Sequence, residues 1–298
     1  MMMKRISAIA AVLSLCFCAW GQTGVESRSV RCTTKFQGLE REYLLYIPEG
    51  VGEGAPLVMA LHGYGGGMRI MPEGLLDAAD RHGYAVCLPQ ALKDGTGHTG
   101  WNVGYVFQKD YKVKDIEFVC HLAKMLCKEH GFRKDATFLT GMSNGGEMCH
   151  LMAMRKPKAF TAIASIAGLS MTDMLKEYPA TGPVPFMEVH GTEDRISEWY
   201  GDPLDEGGWG AYTSTPIAIG RVVTADGCKK ESVEILPRRE GRNEVTLYKF
   251  EDGKKTKDGR PMEVWLYEVK GGDHSWSDAD MDTYEETWRF FTKWFETE

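Results

Sequence analysis

A serine flanked by glycines has the neighbours that nucleophilic catalysis needs. Gly141, Ser143 and Gly145 form the pattern G-x-S-x-G between a strand predicted to end at Thr140 and a helix predicted over 143–155. A tight turn here projects the serine hydroxyl from the carboxyl edge of a sheet, and the glycines remove side chains that would collide with neighbouring strands. The pattern predicts that Ser143 is a nucleophile, and the alternative is a tight turn with a structural serine.

A serine hydroxyl is a weak nucleophile at neutral pH, so it needs a base, and the base needs an orienting carboxylate. Two loops that follow predicted strands supply these groups, because residues 189–196 contain Asp194 and residues 271–276 contain His274. The weaker candidates for the same roles are Glu193, Asp273 and His190. The chain order Ser143, Asp194, His274 is that of the α/β-hydrolase fold and differs from the orders in chymotrypsin and subtilisin.

Two segments are expected to supply backbone N–H groups for an oxyanion. The helix after the nucleophile has free N–H groups at its start, and that of Asn144 is placed to stabilise negative charge. The glycine-rich segment 62–67 also follows a predicted strand, and the second N–H is expected from Tyr64 or Gly63. This segment lacks the Lys-Ser/Thr of a P-loop and the spacing of a dinucleotide fingerprint, which disfavours phosphate binding. We expect His62 to be structural.

The segments around these loops alternate between strand and helix patterns. The predicted strands are 41–47, 56–61, 84–88, 136–140, 159–167, 184–189, 232–236, 244–250 and 262–269, and the predicted helices are 113–130, 143–155 and 283–295. This alternation predicts a mostly parallel central sheet with helices on both faces. The aromatic residues of the last helix are expected to pack in the core.

Length and composition are those of an ordinary globular enzyme. The chain has 298 residues, of which 43% are hydrophobic and 26% charged, and a formal net charge of −7. The acidic balance disfavours nucleic acid as a partner, because it repels phosphate backbones. No repeat, low-complexity tract or linker divides residues 22–298, which predicts a single domain. The oligomeric state is left open.

The N-terminal segment has the features of an export signal. A positively charged start precedes an uncharged apolar stretch over 6–20, which is too short to span a bilayer core of roughly 30 Å comfortably. Small residues precede Gln22 with the spacing of a cleavage site. We predict that residues 1–21 are a cleaved signal peptide, that the protein is secreted or periplasmic, and that it has no membrane span. The alternative is a lipoprotein anchor at Cys16 or Cys18.

Six cysteines remain in the exported part of the chain, where disulfides persist. Cys32 and Cys228 lie in polar segments and are the better candidates for a bridge, although connectivity cannot be deduced from sequence. No C-x-x-C pair or paired-histidine spacing indicates a zinc site, so no metal is expected.

Four segments resemble the signature blocks of one enzyme family. They are HGYGG at 62–66, GMSNGG at 141–146, HGTEDRI at 190–196 and GGDHSW at 271–276. They resemble secreted feruloyl esterases and polyhydroxybutyrate depolymerase-like esterases of carbohydrate esterase family one, over about residues 41–298, including the loop that begins at Trp101. Lys114 and Ser277 depart from the family pattern of two adjacent acids and a proline. The resemblance implies hydrolysis of a carboxylic ester without metal or organic cofactor.

The expected substrate is an ester on plant cell-wall polysaccharide, either a feruloyl (hydroxycinnamoyl) or an acetyl ester of xylan, or a small aromatic ester. Aromatic loop residues that can stack on a phenolic ring or a sugar are Trp101, Tyr105, Trp199, Tyr200 and Trp276, with Trp209 and Tyr212 in the same loops. A short-polyester depolymerase is the first alternative, although no attached substrate-binding domain is evident. A catalytically inactive glycan-binding relative and a serine peptidase of the same fold are the others.

Overall fold

The computed structural model describes residues 24–177 and 182–296, so the predicted signal peptide over 1–21 lies outside the described residues. The strands are β1 (Val30–Phe36), β2 (Leu39–Tyr46), β3 (Leu57–Leu61), β4 (Ala85–Pro89), β5 (Thr137–Met142), β6 (Ile163–Ile166), β7 (Ser170–Met171), β8 (Phe186–Gly191), β9 (Tyr212–Thr213), β10 (Lys230–Ile235), β11 (Glu244–Glu251) and β12 (Val264–Lys270). The helices are α1 (Val25–Arg28), α2 (Gly74–His82), α3 (Asp115–His130), α4 (Asn144–Arg155), α5 (Thr172–Glu177), α6 (Thr215–Asp226) and α7 (Thr283–Phe291). Short 3₁₀ turns cover Met68–Ile70, Val106–Gln108 and Thr292–Trp294.

Ten of these strands form one sheet in the order β1-β2-β4-β3-β5-β6-β8-β12-β11-β10. The six strands from β4 to β12 in this order run parallel, and two antiparallel strands extend the sheet at each end. The strands β3, β4, β6 and β8 are buried along their whole length, as expected for strands covered on both faces. The predicted mostly parallel sheet with helices on both faces is confirmed.

Apolar side chains form two cores, one on each face of the sheet. One core contains Ile116 of α3, Leu151 of α4 and Ile219 of α6. The other contains α2 and α7, and in it Phe291 stacks on Phe138 of β5 with ring centroids 4.5 Å apart. The aromatic residues of the last helix are therefore core residues, as predicted. Among the described residues, no helix combines the length and the apolar character needed to cross a bilayer.

The parallel strands bring four loops to one edge of the sheet, since the carboxyl ends of β3, β5, β8 and β12 lie side by side. The loops after β8 and β12 approach each other closely at Gly191. A Cβ atom on Gly191 would lie 2.3 Å from the carbonyl oxygen of Gly272, so only glycine fits there. Thr192 then fixes the same loop, because its hydroxyl accepts a hydrogen bond of 2.8 Å from Gly271 N.

Some elements were not predicted. Strand β1 carries charged side chains and is mostly exposed at a sheet edge, so its sequence lacks the apolar run of a core strand. The predicted strand over 159–167 is shorter, at Ile163–Ile166. Cys32 and Cys228, the better candidates for a bridge, are both free thiols among the described residues. Cys32 lies on β1 and Cys228 lies two residues before the start of β10, and these strands form opposite edges of the ten-stranded sheet.

Candidate active site

Ser143 lies at the sharp turn between β5 and α4. Its backbone has φ 58° and ψ −123°, a region that L residues rarely adopt. Two hydrogen bonds fix the turn: Ser143 N donates to Ile166 O at 2.8 Å, and Glu147 N donates to Ser143 O at 2.8 Å. Only glycine fits at position 145, because a Cβ there would lie 2.3 Å from the carbonyl oxygen of Leu61. The turn therefore has the strained backbone of a nucleophile elbow.

His274 and Asp194 are in direct contact across the two loops after β12 and β8. The distance between His274 Nδ1 and Asp194 Oδ2 is 2.7 Å. The other carboxylate oxygen of Asp194 accepts hydrogen bonds from the backbone N–H groups of Ile196 and Ser197, each 2.8 Å long. Asp194 is buried and His274 is partly exposed. A buried carboxylate held in this way fixes the imidazole ring with Nδ1 protonated and leaves Nε2 free to act as a base.

The alternatives for these two roles do not make this contact. Within residues 24–177 and 182–296, no hydrogen bond joins His274 to Glu193 or Asp273. His190 is fully buried, and its ring nitrogens contact Glu188 Oε1 and the carbonyl oxygen of Ser197. His190 is therefore closed off from substrate.

The glycine-rich loop after β3 packs against Ser143. A Cβ on Gly63 would lie 3.3 Å from Ser143 Cβ and 3.7 Å from Ser143 Oγ, so the backbone of this loop borders the hydroxyl group. In the part of the chain that the structure describes, neither the N–H of Tyr64 nor that of Asn144 donates to a protein acceptor. These two amides are therefore available to bind an oxygen atom of a ligand near Ser143.

Trp101 connects this loop to the nucleophile turn. The side chain of Asn144 accepts from Trp101 N at 2.6 Å and donates to Trp101 O at 3.2 Å. The indole N–H of Trp101 donates to His62 O at 2.9 Å. Three segments distant in sequence are thus joined by three buried hydrogen bonds directly behind the site.

His62 has the structural role expected from the sequence. Ala91 N donates to His62 Nε2 at 3.1 Å, which leaves the ring proton on Nδ1, and Nδ1 donates to Gly63 O at 2.8 Å. Burial lowers the pKa of His62 to about 4, against the opposing effect of the hydrogen bond to Gly63. The ring is therefore neutral at physiological pH and shapes the backbone of the loop.

The aromatic residues predicted to contact substrate differ in their exposure. Trp101 and Tyr105 are buried, and the prediction that they stack on substrate is wrong, because core packing leaves neither ring open to a ligand. Trp199 and Tyr200 line an open cavity of about 320 Å³ beside Asp194, but only Tyr200 is exposed, at 80%, whereas Trp199 is buried. Trp276 is half-buried and packs against Tyr284.

Two predicted neighbours of these residues are packing residues. Trp209 packs against the rings of Tyr64 and Tyr105, with centroids 5.6 and 5.0 Å away. The buried Tyr212 accepts a hydrogen bond from Glu198 N through its hydroxyl group. Neither of them lines the cavity beside Asp194.

A buried acid beneath the nucleophile turn was not found from the sequence. Glu147 is buried on α4, and its Oε2 has no partner. Burial raises the pKa of Glu147 to about 8, and hydrogen bonding to Tyr105 and Asn144 opposes this shift. A signal was present in the sequence, since a glutamate follows Ser143 by one helical turn in a segment of mostly small and apolar residues. Among the described residues, no group of three His, Cys, Asp or Glu side chains has the arrangement of a metal site.

Comparison with known proteins agrees with this architecture. Residues 41–182 match the family model described as Esterase PHB depolymerase. The chain is 24% identical over 311 residues to feruloyl esterase D of Neurospora crassa, covering 98% of this chain and 95% of that protein. It is 25% identical over 265 residues to the bifunctional acetylxylan esterase/xylanase XynS20E of Neocallimastix patriciarum, covering 87% of this chain and about a third (34%) of that protein.

A solved structure with the same fold is the acetyl xylan esterase from Aspergillus awamori. It has a TM-score of 0.62 and 13% sequence identity, and the match covers 89% of this chain and 99% of that one. The fold is that of the α/β-hydrolases. The family model and the esterase relatives place the chain among the carboxylic ester hydrolases, and residues 41–182 match the Esterase PHB depolymerase model.

Proposed function

We propose that this carboxylic ester hydrolase is a secreted serine esterase that releases feruloyl or acetyl groups from plant cell-wall polysaccharide. It would act as a single domain over residues 22–298, with Ser143, Asp194 and His274 as its catalytic triad. The observation that carries the proposal is the 2.7 Å contact between His274 Nδ1 and Asp194 Oδ2, at the sheet edge where Ser143 occupies its strained turn.

Each residue of the triad has one role in the proposed reaction. His274 Nε2 accepts the hydroxyl proton of Ser143 while Ser143 Oγ attacks the ester carbonyl carbon. The N–H groups of Asn144 and of Tyr64 or Gly63 stabilise the oxyanion. The ester bond breaks, and the alcohol leaves with the proton from His274. Water then repeats the sequence on the acyl-enzyme, releases the acid and restores the serine.

Asp194 stabilises the imidazolium that forms in both steps. Its Oδ2 accepts a hydrogen bond from Nδ1–H of His274, and its Oδ1 is held by two backbone amides, so the carboxylate is in position before the reaction begins. Little reorganisation is then needed in the transition state, which is the physical source of this kind of electrostatic catalysis.

The substrate proposal rests on the relatives and on the cavity beside the triad. Two relatives are named for feruloyl and acetylxylan ester hydrolysis. The exposed Tyr200 offers aromatic surface to a sugar or a phenolic ring in the cavity next to Asp194, and the buried Trp199 forms part of the cavity wall. Export rests on the N-terminal sequence, in which a charged start precedes an apolar stretch.

Polyhydroxybutyrate or short polyester hydrolysis is the second candidate, because the matching family model is described as Esterase PHB depolymerase. Rates on methyl ferulate, acetylated xylan and short hydroxybutyrate oligomers separate the two. We expect the first two substrates to be hydrolysed faster, and a preference for the oligomers would favour the second candidate. Turnover of peptide anilides in preference to all three would indicate a peptidase.

The test of the triad is Ser143→Ala. Its turnover of p-nitrophenyl acetate is expected to fall by about 10⁴-fold or more, with an unchanged circular dichroism spectrum. Ser275→Ala, in the loop that carries His274, is the matched control for removal of a hydroxyl group nearby. Wild-type rates in the folded Ser143→Ala protein would show that another group is the nucleophile.

A further inference from the structure

Strand β8, which precedes Asp194, has two ionisable side chains that are buried in the interior of the protein. Glu188 and His190 alternate with apolar residues on this strand, and both are fully buried. Burial of an ionised group costs several kcal/mol unless it is paired and hydrogen-bonded, so charged residues in a central strand require an explanation. Neither residue belongs to the proposed catalytic triad.

The contacts of this pair define its protonation state. His190 Nε2 lies 2.7 Å from Ser197 O, which can only accept, so Nε2 carries a proton. His190 Nδ1 lies 3.0 Å from Glu188 Oε1, which also accepts from Gly168 N at 3.2 Å. The other oxygen, Glu188 Oε2, lies 3.0 Å from His150 Nε2. Three donors around one carboxylate favour its ionised form, and a ring with acceptors at both nitrogens is satisfied only as the imidazolium.

The direction of the pKa shifts agrees with this geometry. Burial alone would lower the pKa of His190, but the hydrogen bond and charge of Glu188, with Ser197 O and Asp194, raise it above its ordinary value. Burial would raise the pKa of Glu188, but the hydrogen bonds from His150 and His190 hold it below its ordinary value. Both pKa shifts therefore favour an ionised Glu188 and a protonated His190.

His190 is also close to the carboxylate of the triad. Its Nε2 lies 3.7 Å from Asp194 Oδ2, the oxygen that contacts His274. Ser197 joins the two groups, because its N–H donates to Asp194 Oδ1 and its carbonyl accepts from His190. From the other elements, His190 meets the uncharged hydroxyl of Thr215 at 3.4 Å and the edge of the Trp199 ring. The ionised groups that face it are Glu188 and Asp194.

We propose that Glu188 and His190 are a positioning pair, in which the His190 imidazolium holds the turn 194–197 in place and stabilises the negative charge of Asp194. This inference rests on the proposed function, since it assigns a role relative to the triad. The positive charge disfavours uptake of a proton by the Asp194–His274 couple and so extends esterase activity to lower pH. Glu188 supplies the charge that keeps His190 protonated.

The first experiment is the pH dependence of kcat/KM for p-nitrophenyl acetate in His190→Gln. Glutamine retains a donor for Ser197 O and removes the charge. We expect the acid limb of the profile to move to higher pH by about half a unit or more, and kcat to fall about tenfold with KM within twofold of wild type. Glu188→Gln is expected to move the limb in the same direction, and the double variant to move it no further than the larger single shift.

His150→Gln is the control, because His150 contacts Glu188 but is separated from Asp194 by the pair itself. Its acid limb is expected to coincide with that of wild type. A His190→Gln protein that folds, as judged by near-UV circular dichroism, and has the wild-type acid limb would overturn the proposal. A lower rate with an unshifted acid limb would mean that His190 has only a structural role, and this result would also overturn the proposal.

The second experiment uses the unaltered protein and does not depend on a variant that folds. Nitrogen-15 NMR of the His190 ring, followed as a function of pH, is expected to show both ring nitrogens still protonated above pH 6.5, the ordinary pKa of histidine. A His190 ring that loses its second proton at or below pH 6.5 would contradict the proposal. The two proposals fail separately. A protein that does not hydrolyse esters would refute the proposed function, but the NMR spectrum would still show whether His190 is protonated.

Discussion

His274 Nδ1 lies 2.7 Å from Asp194 Oδ2, although 80 positions separate the two residues in the sequence. The contact exists because β8 and β12 are adjacent parallel strands, so the loops at their carboxyl ends meet. The hydrogen bonds of Thr192 N to Val269 O and of Glu193 N to Gly272 O fix the two loops to each other. The strand order of the sheet and the hydrogen bonds between these two loops therefore place Asp194 and His274 in contact.

Asp194→Asn is expected to lower kcat by about 10³- to 10⁴-fold with little change in stability, because asparagine can still accept the two amide hydrogen bonds at Oδ1 but cannot stabilise an imidazolium. The measurement is kcat for p-nitrophenyl acetate at pH 7.5. Asp273→Asn, an exposed acid next to His274, should stay within twofold of wild type. Equal effects of the two substitutions would contradict the assignment of the acid.

Gly63→Ala is expected to lower kcat about tenfold or more. The new methyl group would lie 3.3 Å from Ser143 Cβ, and this crowding displaces the loop that borders the hydroxyl. Gly52→Ala is the matched control, because nothing lies within 4 Å of a Cβ at that position and its φ is not in the left-handed region. Full activity in Gly63→Ala would show that the loop does not contribute to the oxyanion site.

Trp101→Phe tests whether Trp101 positions the site or contacts the substrate. The change removes the donor to the buried His62 carbonyl and should lower the free energy of unfolding by about 1 to 3 kcal/mol. Because the ring is buried, kcat is expected to fall and KM for methyl ferulate to change less than twofold. A rise in KM of tenfold at constant kcat would instead indicate a direct contact with substrate.

Glu147→Gln is expected to stabilise the protein at alkaline pH. The pKa of Glu147 is raised from an ordinary value of 4.5 to about 8, mainly by burial. Between these values the folded protein retains a proton that the unfolded chain has released, so the wild-type protein loses stability as pH rises from 4.5 to 8. Glutamine carries no charge and avoids this loss, which amounts to about 3 to 5 kcal/mol at pH 8.

Urea unfolding of Glu147→Gln and wild type at pH 5 and pH 8 measures this difference. The advantage of the variant should be larger at pH 8 than at pH 5. Glu49→Gln, which removes an exposed carboxylate, serves as the control for the substitution itself. A constant difference between Glu147→Gln and wild type at both pH values would mean that Glu147 does not titrate in this window.

The fold and the nucleophile turn could be predicted because their signals are local. Gly141, Ser143 and Gly145 stand between an apolar run and an amphipathic segment, and the strand ends at this turn in the structure. The burial of Trp101 could not be predicted, since it depends on Asn144 and His62, which are distant in sequence. Isolated aromatic residues in loops carry no local sign of whether they face solvent or the core.

Whether Cys32 and Cys228 form a bridge could not be decided from the sequence, for a related reason. Polar neighbours place a cysteine near the surface, but only the strand order shows that β1 and β10 form opposite edges. Glu188 and His190 are visible in the sequence as two ionisable residues in an apolar segment. Their role could not be predicted, because it depends on the contacts of His190 with Asp194 and Ser197 in the folded protein.

The most direct test of the account is to label the protein with a fluorophosphonate and to locate the adduct by peptide mass spectrometry. We expect one adduct on Ser143 in the wild-type protein, and labelling slower by about 10³-fold or more in His274→Ala, which lacks the base. A wild-type protein that stays unlabelled, or one that is labelled on another residue, would contradict the central claim that Ser143 is the nucleophile of an esterase.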